Sequence, residues 1–182
     1  MSEGREVLFA DWIETPVGSM IAVADRSRVH LLEFHDRNAF PGELGRLQLR
    51  TRAAIGLGRT PAIDHMDAEL KAYFAGRLQV FETPLAPDGT AFEQQVWGEL
   101  LKIAFGETRS YADVARAIGS VSAVRAVARA NGTNRIAIVI PCHRVIGSDG
   151  SLTGYAGGLE RKRWLLHHEG RVRPVGLFEE RI

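Results

Sequence analysis

Cysteine is almost absent: Cys142 is the only one in 182 residues. One thiol excludes an intrachain disulfide and any multi-cysteine zinc site, and it fits a reducing compartment, so the chain is expected in the cytoplasm. Long apolar runs are missing too. No stretch of eighteen apolar residues occurs, and the start Met1-Ser2-Glu3-Gly4-Arg5-Glu6 lacks the hydrophobic segment of a signal peptide, so no membrane partner is expected. Neither an internal repeat nor a low-complexity tract is visible. An excess of charge of one sign is lacking as well: the net charge is +1, which by itself announces no nucleic-acid partner. What remains, 45% hydrophobic and 25% charged residues, is the composition of an ordinary globular chain of one or two small domains with a real core.

The distribution of charge says more than its sum. Between Arg109 and Arg135 five arginines (109, 116, 125, 129 and 135) face one acid, Asp113, a local net of +4. Such a cluster is either a solvated face or a phosphate-binding one.

The first half predicts an antiparallel β-meander. Val7 to Phe9, Ser19 to Val23 and Val29 to Phe34 alternate as strands, with turns at Thr15-Pro16-Val17-Gly18 and Asp25-Arg26-Ser27-Arg28. After a break at Pro41-Gly42, Glu43 to Arg50 predicts a short helix and Ala53 to Leu57 a returning strand. Asp64 is the expected N-cap of a helix whose Met66, Leu70, Tyr73 and Phe74 form a core-facing stripe, ended by Gly76. The turn formers of Thr83 to Gly89 place a domain boundary there, giving 1–87 as a structural domain and 88–182 as the functional one.

Thr90-Ala91-Phe92-Glu93 reads as a capping box opening a helix with Phe92, Val96, Leu100 and Ile103 or Ala104 buried, stopped by Gly106. Ser110-Tyr111-Ala112-Asp113 is a second box-like start, with Val114, Ala115 and Ile118 on the core side, and Gly119-Ser120 turns the chain into a helix from Val121 to Ala130. At 100° per residue, Val121, Val124, Val127 and Ala128 share one arc of that helix, while Ser122, Ala126, Arg129 and Ala130 share the other, with Arg125 at its edge. Two short helices joined by a glycine turn resemble a helix-turn-helix. An outer face of serine, alanine and arginine suits close approach to DNA. The fold class expected is therefore α+β: a small N-terminal antiparallel sheet with helix, then a mainly helical C-terminal domain with a helix-turn-helix.

Ile136 to Ile140 predicts a buried strand or extended segment, ended by Pro141, that presents Cys142 where a rigid element stops. A buried lone cysteine is often an inert small hydrophobe, but His143 and Arg144 follow it, and a base or a positive field favours the thiolate. On an extended segment neighbours point to opposite faces, so His143 would act through a water. After a turn at Ser148 to Ser151 and the glycine-rich Leu152 to Gly158, a last helix from Leu159 to Glu169 puts Glu169 beside Leu165 and Leu166 on one face. A carboxylate there needs a partner, for which a histidine is the obvious choice, unless it reaches solvent at the helix end beside Gly170. Thiol, imidazole and carboxylate together resemble a Cys-His-Glu relay, in which the carboxylate would orient the imidazole and the imidazole would take the thiol proton.

Pro141-Cys142-His143-Arg144-Val145, followed by Gly154-Tyr155-Ala156-Gly157-Gly158, resembles the active-site signature of the O6-alkylguanine-DNA alkyltransferases, also called methylated-DNA–protein-cysteine methyltransferases. The likeness runs from about Thr90 to Gly170. It implies DNA repair in which Cys142 itself accepts the alkyl group by direct displacement from O6 of guanine, and the thioether formed limits each molecule to one use. It implies a nucleotide flipped out of double-stranded DNA, with Arg125 filling the vacated place in the stack and Tyr111 helping to rotate the nucleotide and donating toward N3. The helix carrying Ser122, Arg125, Ala126 and Arg129 would enter the minor groove. Asn134 falls on the family's asparagine that ties this helix to the active-site segment. Arg135 stands where the family has proline and is a candidate phosphate contact. The carbonyls near Cys142 and Val145, with the amides around Tyr155, Ala156 and Gly157, would recognise the guanine edge, Ala156 through its backbone alone. No cofactor or metal is expected, and the likeness implies a monomer.

Two rivals are weighed beside this one. A lesion-binding module of the same family would lack the cysteine, which is present here. A Cys-His hydrolase would use the same relay on an acyl group and would need an oxyanion hole and water access. For the N-terminal half the resemblance implies a structural domain, with zinc in some relatives. The single cysteine excludes a thiolate site of that kind, and the residues themselves give no role.

Overall fold

The computed structural model describes residues 7–172. Its first half is a four-stranded sheet in the order β3-β2-β1-β4. Strands β1 (Val7–Ile13), β2 (Met20–Ala24) and β3 (Val29–Phe34) form the expected antiparallel meander. The fourth, β4 (Ala54–Leu57), adds parallel to β1, with Val7 opposite Ala54. Between β3 and β4 runs helix α1 (Phe40–Thr51), longer than the sequence suggests because Pro41 starts it rather than breaking it. Proline is tolerated in a first turn, where its missing N–H would have had no partner.

Helix α2 (Pro61–Phe74) follows the same rule. Its N-cap is Thr60, whose hydroxyl accepts from Ile63 N at 3.3 Å, with Pro61 in the first turn. Asp64 is thus one turn inside the helix, where it receives Arg59 at 2.7 Å. Both faces of the sheet are covered. Leu8, Ala10, Val23 and Leu31 pack with Leu47 of α1, while Met20, Ala22, Leu32 and Phe34 face α2 and the second half of the chain. That double cover explains why all six residues of β3 are buried.

The second half begins with α3 (Ala91–Leu100), opened by the expected capping box of Thr90 and Glu93. The helix ends at Leu100, a turn early, and Ile103 and Phe105 reach the core from the loop after it. A second capping box, Ser110 with Asp113, opens α4 (Tyr111–Ala117). The next helix differs from its sequence reading. Residues Val121–Ala123 form a 3₁₀ turn, and the α-helix proper, α5, spans Val124–Gly132. The tighter turn changes the angular phase, so Val121 is 68% exposed whereas Ala130 is buried with Val127 and Asn131. After two-residue strands β5 (Arg109–Ser110) and β6 (Val145–Ile146), which pair in parallel, the described chain ends with α6 (Leu159–Val172).

Ile136 to Ile140 does not form a strand. Only Ile136 pairs with the free edge of β3: Leu32 N donates to Arg135 O at 2.8 Å and Ala137 N to Leu32 O at 2.8 Å. The chain then folds sharply. Val139 N donates to Ala137 O at 2.8 Å around Ile138, whose φ of 71° is unusual for a β-branched residue. A second such turn, Cys142 N to Ile140 O at 2.8 Å around Pro141, follows at once. Further along β3, Val29 N donates to Pro84 O at 3.0 Å, so this edge receives both the linker and the segment leading to Cys142. Among the described residues no helix is long and apolar enough to cross a membrane.

Candidate active site

Cys142 opens a 3₁₀ turn, Cys142–Arg144, at the floor of a cleft of about 480 Å³. Tyr111, Val124, Arg125, Ala128 and Asn131 form one wall, and Thr153 to Ala156 form the other. Cys142 as a whole residue keeps 5% exposure. Burial pushes its pKa up to about 11, against the hydrogen bond from Asn134, so the resting group is a thiol. Asn134 is the clamp on this segment. Its Nδ2 donates to Ile140 O at 2.9 Å and reaches Cys142 Sγ at 3.2 Å, while its Oδ1 accepts from Ile136 N at 3.0 Å.

His143 and Glu169 are fully buried and meet at 2.8 Å, Nε2 to Oε1. A carboxylate can only accept, so Nε2 carries the proton. The lone pair of the neutral ring then lies on Nδ1, which is buried and meets no hydrogen-bond partner among the described residues. Burial holds the imidazole below its usual pKa, against the opposing pull of Glu169. The site therefore rests as neutral thiol beside neutral imidazole, with its basic nitrogen unengaged.

Glu169 is held by more than a histidine. Arg144 donates to it twice, through Nε and Nη2, each at 2.9 Å, and the Tyr73 hydroxyl and Gly106 N donate at 2.7 and 3.1 Å. Burial alone would raise this carboxylic acid, but His143 and Arg144 carry it well below the usual carboxylate range. Tyr73 comes from α2 in the N-terminal half, so the donors around this carboxylate come from both halves of the chain. Sequence reasoning placed Tyr73 only in an apolar stripe; its phenol, which needs a partner when buried, was the available signal. Lys162 was also missed. It is fully buried, and its Nζ donates to the carbonyls of Val145, Thr153 and Gly154, tying both sides of the glycine loop to α6.

The remaining candidates fall into four groups. Tyr111, Arg125, Tyr155 and Ala156 line the cleft, and Tyr111 donates to Thr153 O at 3.0 Å. Ser122, Ala126 and Arg129 are exposed beside it, and Ala128 of the opposite arc also opens onto the cleft. Val145 is buried with its carbonyl engaged by Lys162, and Gly157 packs so closely that a Cβ there would lie 2.9 Å from the Phe34 ring. Arg135 is not on the outer face. It keeps 12% side-chain exposure and donates to Asp88 O at 3.1 Å, because its backbone is drawn inward by the bridge to Leu32. Among the described residues no group of three or more His, Cys, Asp or Glu side chains could hold a metal ion.

This geometry has close counterparts. Residues 91–171 match the family model of the 6-O-methylguanine DNA methyltransferase DNA-binding domain. The methylated-DNA–protein-cysteine methyltransferase of Methanosarcina barkeri is 41% identical over 165 residues, covering 89% of this chain and 97% of that relative. That of Methanosarcina acetivorans is 55% identical over a shorter stretch, 56% of this chain and 65% of the relative. In three dimensions the chain is similar to the crystal structure of Mycobacterium tuberculosis OGT in complex with DNA, with a TM-score of 0.77 at 40% identity, covering 93% and 96% of the two chains. By domain, by nearly full-length likeness and by fold, the chain is a methyltransferase with a DNA-binding domain and belongs to the methylated-DNA–protein-cysteine methyltransferase family.

Proposed function

We propose that this protein repairs double-stranded DNA by taking an alkyl group from O6 of guanine onto Cys142, once per molecule. The observation that carries the reading is the position of the thiol at the floor of a cleft bounded by α5, with the basic nitrogen of His143 unengaged behind it. Acting as a monomer in the cytoplasm, the protein would lay Ser122 of the 3₁₀ turn and the outer face of α5, Ala126 and Arg129, against the minor groove. The modified nucleotide rotates into the cleft, and Arg125 at the cleft edge fills its place in the stack. Unstacking costs a few kcal/mol, less for a damaged pair.

In the chemical step the thiol proton passes through a bridging water to His143 Nδ1, and Glu169 stabilises the imidazolium. The sulfur attacks the alkyl carbon, the S–C bond forms as the C–O bond breaks, and the electron pair leaves with the base. Guanine departs as the anion, steadied by Tyr111 at N3, and takes a proton from water, which the imidazolium of His143 replaces as it returns to its neutral form. The carbonyls of Cys142 and Val145 and the amides of Tyr155, Ala156 and Gly157 frame the base. Asn134 holds the sulfur in line by clamping the turns before it.

Intact-protein mass spectrometry after mixing with a duplex containing O6-methylguanine tests this. One methyl per protein, mapped to Cys142, is expected, while continued turnover or an unmodified thiol would refute it.

A further inference from the structure

We infer that Arg161 is a positioning residue through which the N-terminal half holds one wall of the substrate cleft, an inference that rests on the alkyl-transfer reading above. Arg161 stands in the first turn of α6. Its guanidinium donates from Nε to Val17 O at 2.7 Å, and from Nη1 and Nη2 to the two oxygens of Asp36 at 3.0 and 2.7 Å. Nη1 also donates to Gly157 O at 3.0 Å, and the guanidinium carbon lies 4.1 Å from the centroid of the Phe34 ring. Val17 lies in the turn after β1, Phe34 ends β3 and Asp36 follows it, so all three belong to the sheet. Gly157 belongs to the glycine-rich loop. One side chain therefore ties that loop to the N-terminal half, and its planar fork meets these acceptors in a way that a lysine ammonium cannot.

The wall depends on such a hold. Thr153 to Ala156 line the cleft but lie in neither helix nor strand, so the grip on the two ends of the loop sets its shape. The near end is held by Lys162, on Thr153 O and Gly154 O, from within the same half of the chain. The far end is held at Gly157, between Arg161 on its carbonyl and the Phe34 ring, from which a Cβ there would lie only 2.9 Å. Tyr155 and Ala156, whose amides are assigned above to the base, sit between the two holds. Without Arg161 the far end keeps its packing on Phe34 and loses its tether, and an in-line displacement is sensitive to small misplacements of the reacting base. The side chains of Arg161 and Asp36 keep 21% and 49% exposure, and an ion pair so exposed adds little to global stability. Its removal is therefore read in the cleft and not in unfolding.

Single-turnover transfer is measured for wild type, Arg161→Ala, Arg161→Lys and Asp36→Ala, from an O6-methylguanine duplex over a concentration series and from free O6-methylguanine. Urea unfolding and iodoacetamide labelling of Cys142 accompany each protein. In Arg161→Ala the maximal rate is expected to fall about ten- to a hundredfold, by the same factor on both substrates, because the wall meets the base with or without DNA attached. The half-saturating duplex concentration and the unfolding midpoint should stay at their wild-type values, and labelling should be no slower. Arg161→Lys should recover only part of the rate, since it restores the charge without the fork. Asp36→Ala, which leaves Arg161 on Gly157 but cuts its ion pair to the sheet, should fall between wild type and Arg161→Ala. A wild-type maximal rate in either alanine variant overturns the inference. So does a loss confined to the half-saturating concentration, which would place Arg161 in DNA binding, or a loss that comes with a lowered unfolding midpoint, which would make it a structural support. Should wild type itself modify neither substrate while Cys142 still takes iodoacetamide, the alkyl-transfer reading fails and takes this one with it.

Discussion

Glu169 shows how one residue combines stability and chemistry. Its charge is matched by Arg144, and both are buried. In Glu169→Gln the guanidinium would be left without its counter-charge, which typically costs about 3–5 kcal/mol; urea unfolding is expected to show a loss of that size. The substitution also removes the anion that favours imidazolium, so transfer should slow by a factor of about ten for each pKa unit of basicity lost by His143. Tyr73→Phe is milder. It deletes one hydrogen bond to a charged acceptor and should cost about 1.5–3 kcal/mol in the same unfolding experiment.

The pH dependence also belongs to single residues. His143 titrates below its usual 6.5 because it is buried, and in the proposed mechanism its neutral form accepts the thiol proton. Single-turnover rates should therefore hold as pH falls to 6.5 and decline only below it; a decline centred above 6.5 would exclude His143 as the acceptor. Stability follows the same sign. The unfolded imidazole binds its proton first, so the contribution of the buried neutral ring is complete above 6.5 and is lost as pH drops below that value. Glu169, held low in the folded state, contributes at pH above its ordinary 4.5, and its share is lost at more acid pH as the folded carboxylate is protonated.

At the scale of elements, α5 has two jobs set by its phase. Val127 and Ala130 anchor it in the core, which leaves Ala126 and Arg129 outward, beside the exposed Ser122 of the preceding 3₁₀ turn, and Arg125, Ala128 and Asn131 toward the cleft. Arg129→Ala is expected to weaken binding to undamaged duplex of any sequence and to flatten the salt dependence by about one unit of slope, measured by titration at several salt concentrations. Arg125→Ala should slow transfer from duplex far more than from free O6-methylguanine. Equal losses on the two substrates would show that Arg125 has no part in flipping.

At the scale of the molecule, the boundary at 87/88 separates segments in sequence but not in packing. One buried cluster joins Phe34, Met66 and Tyr73 to Val96, Ile136, Ile140 and Leu165, and the edge of β3 bonds both the linker and the segment before Cys142. A fragment spanning 88–182 would lose Tyr73 from Glu169 and the β3 edge from Ile136. It is expected to unfold without a sharp cooperative transition and to label at Cys142 faster with iodoacetamide than the intact chain does.

Much of this was written locally. The two capping boxes, the meander and the signature around Cys142 depend on residues within a few positions of one another, and near-neighbour chemistry decides such features whatever the rest of the chain does. Where local preference met a tertiary demand, the tertiary demand prevailed. A run of isoleucine and valine favours a strand, yet Ile136 to Ile140 is bent into two tight turns because Asn134 clamps its carbonyls and β3 offers only one place to pair. A five-arginine segment reads as one basic face, yet Arg135 turns inward. Glu169 on an apolar face announces that it needs a partner. Only the fold could decide that the partners are His143, Arg144, Gly106 and Tyr73, the last 96 residues away, because a buried carboxylate is satisfied by whatever donors the packed core brings within reach.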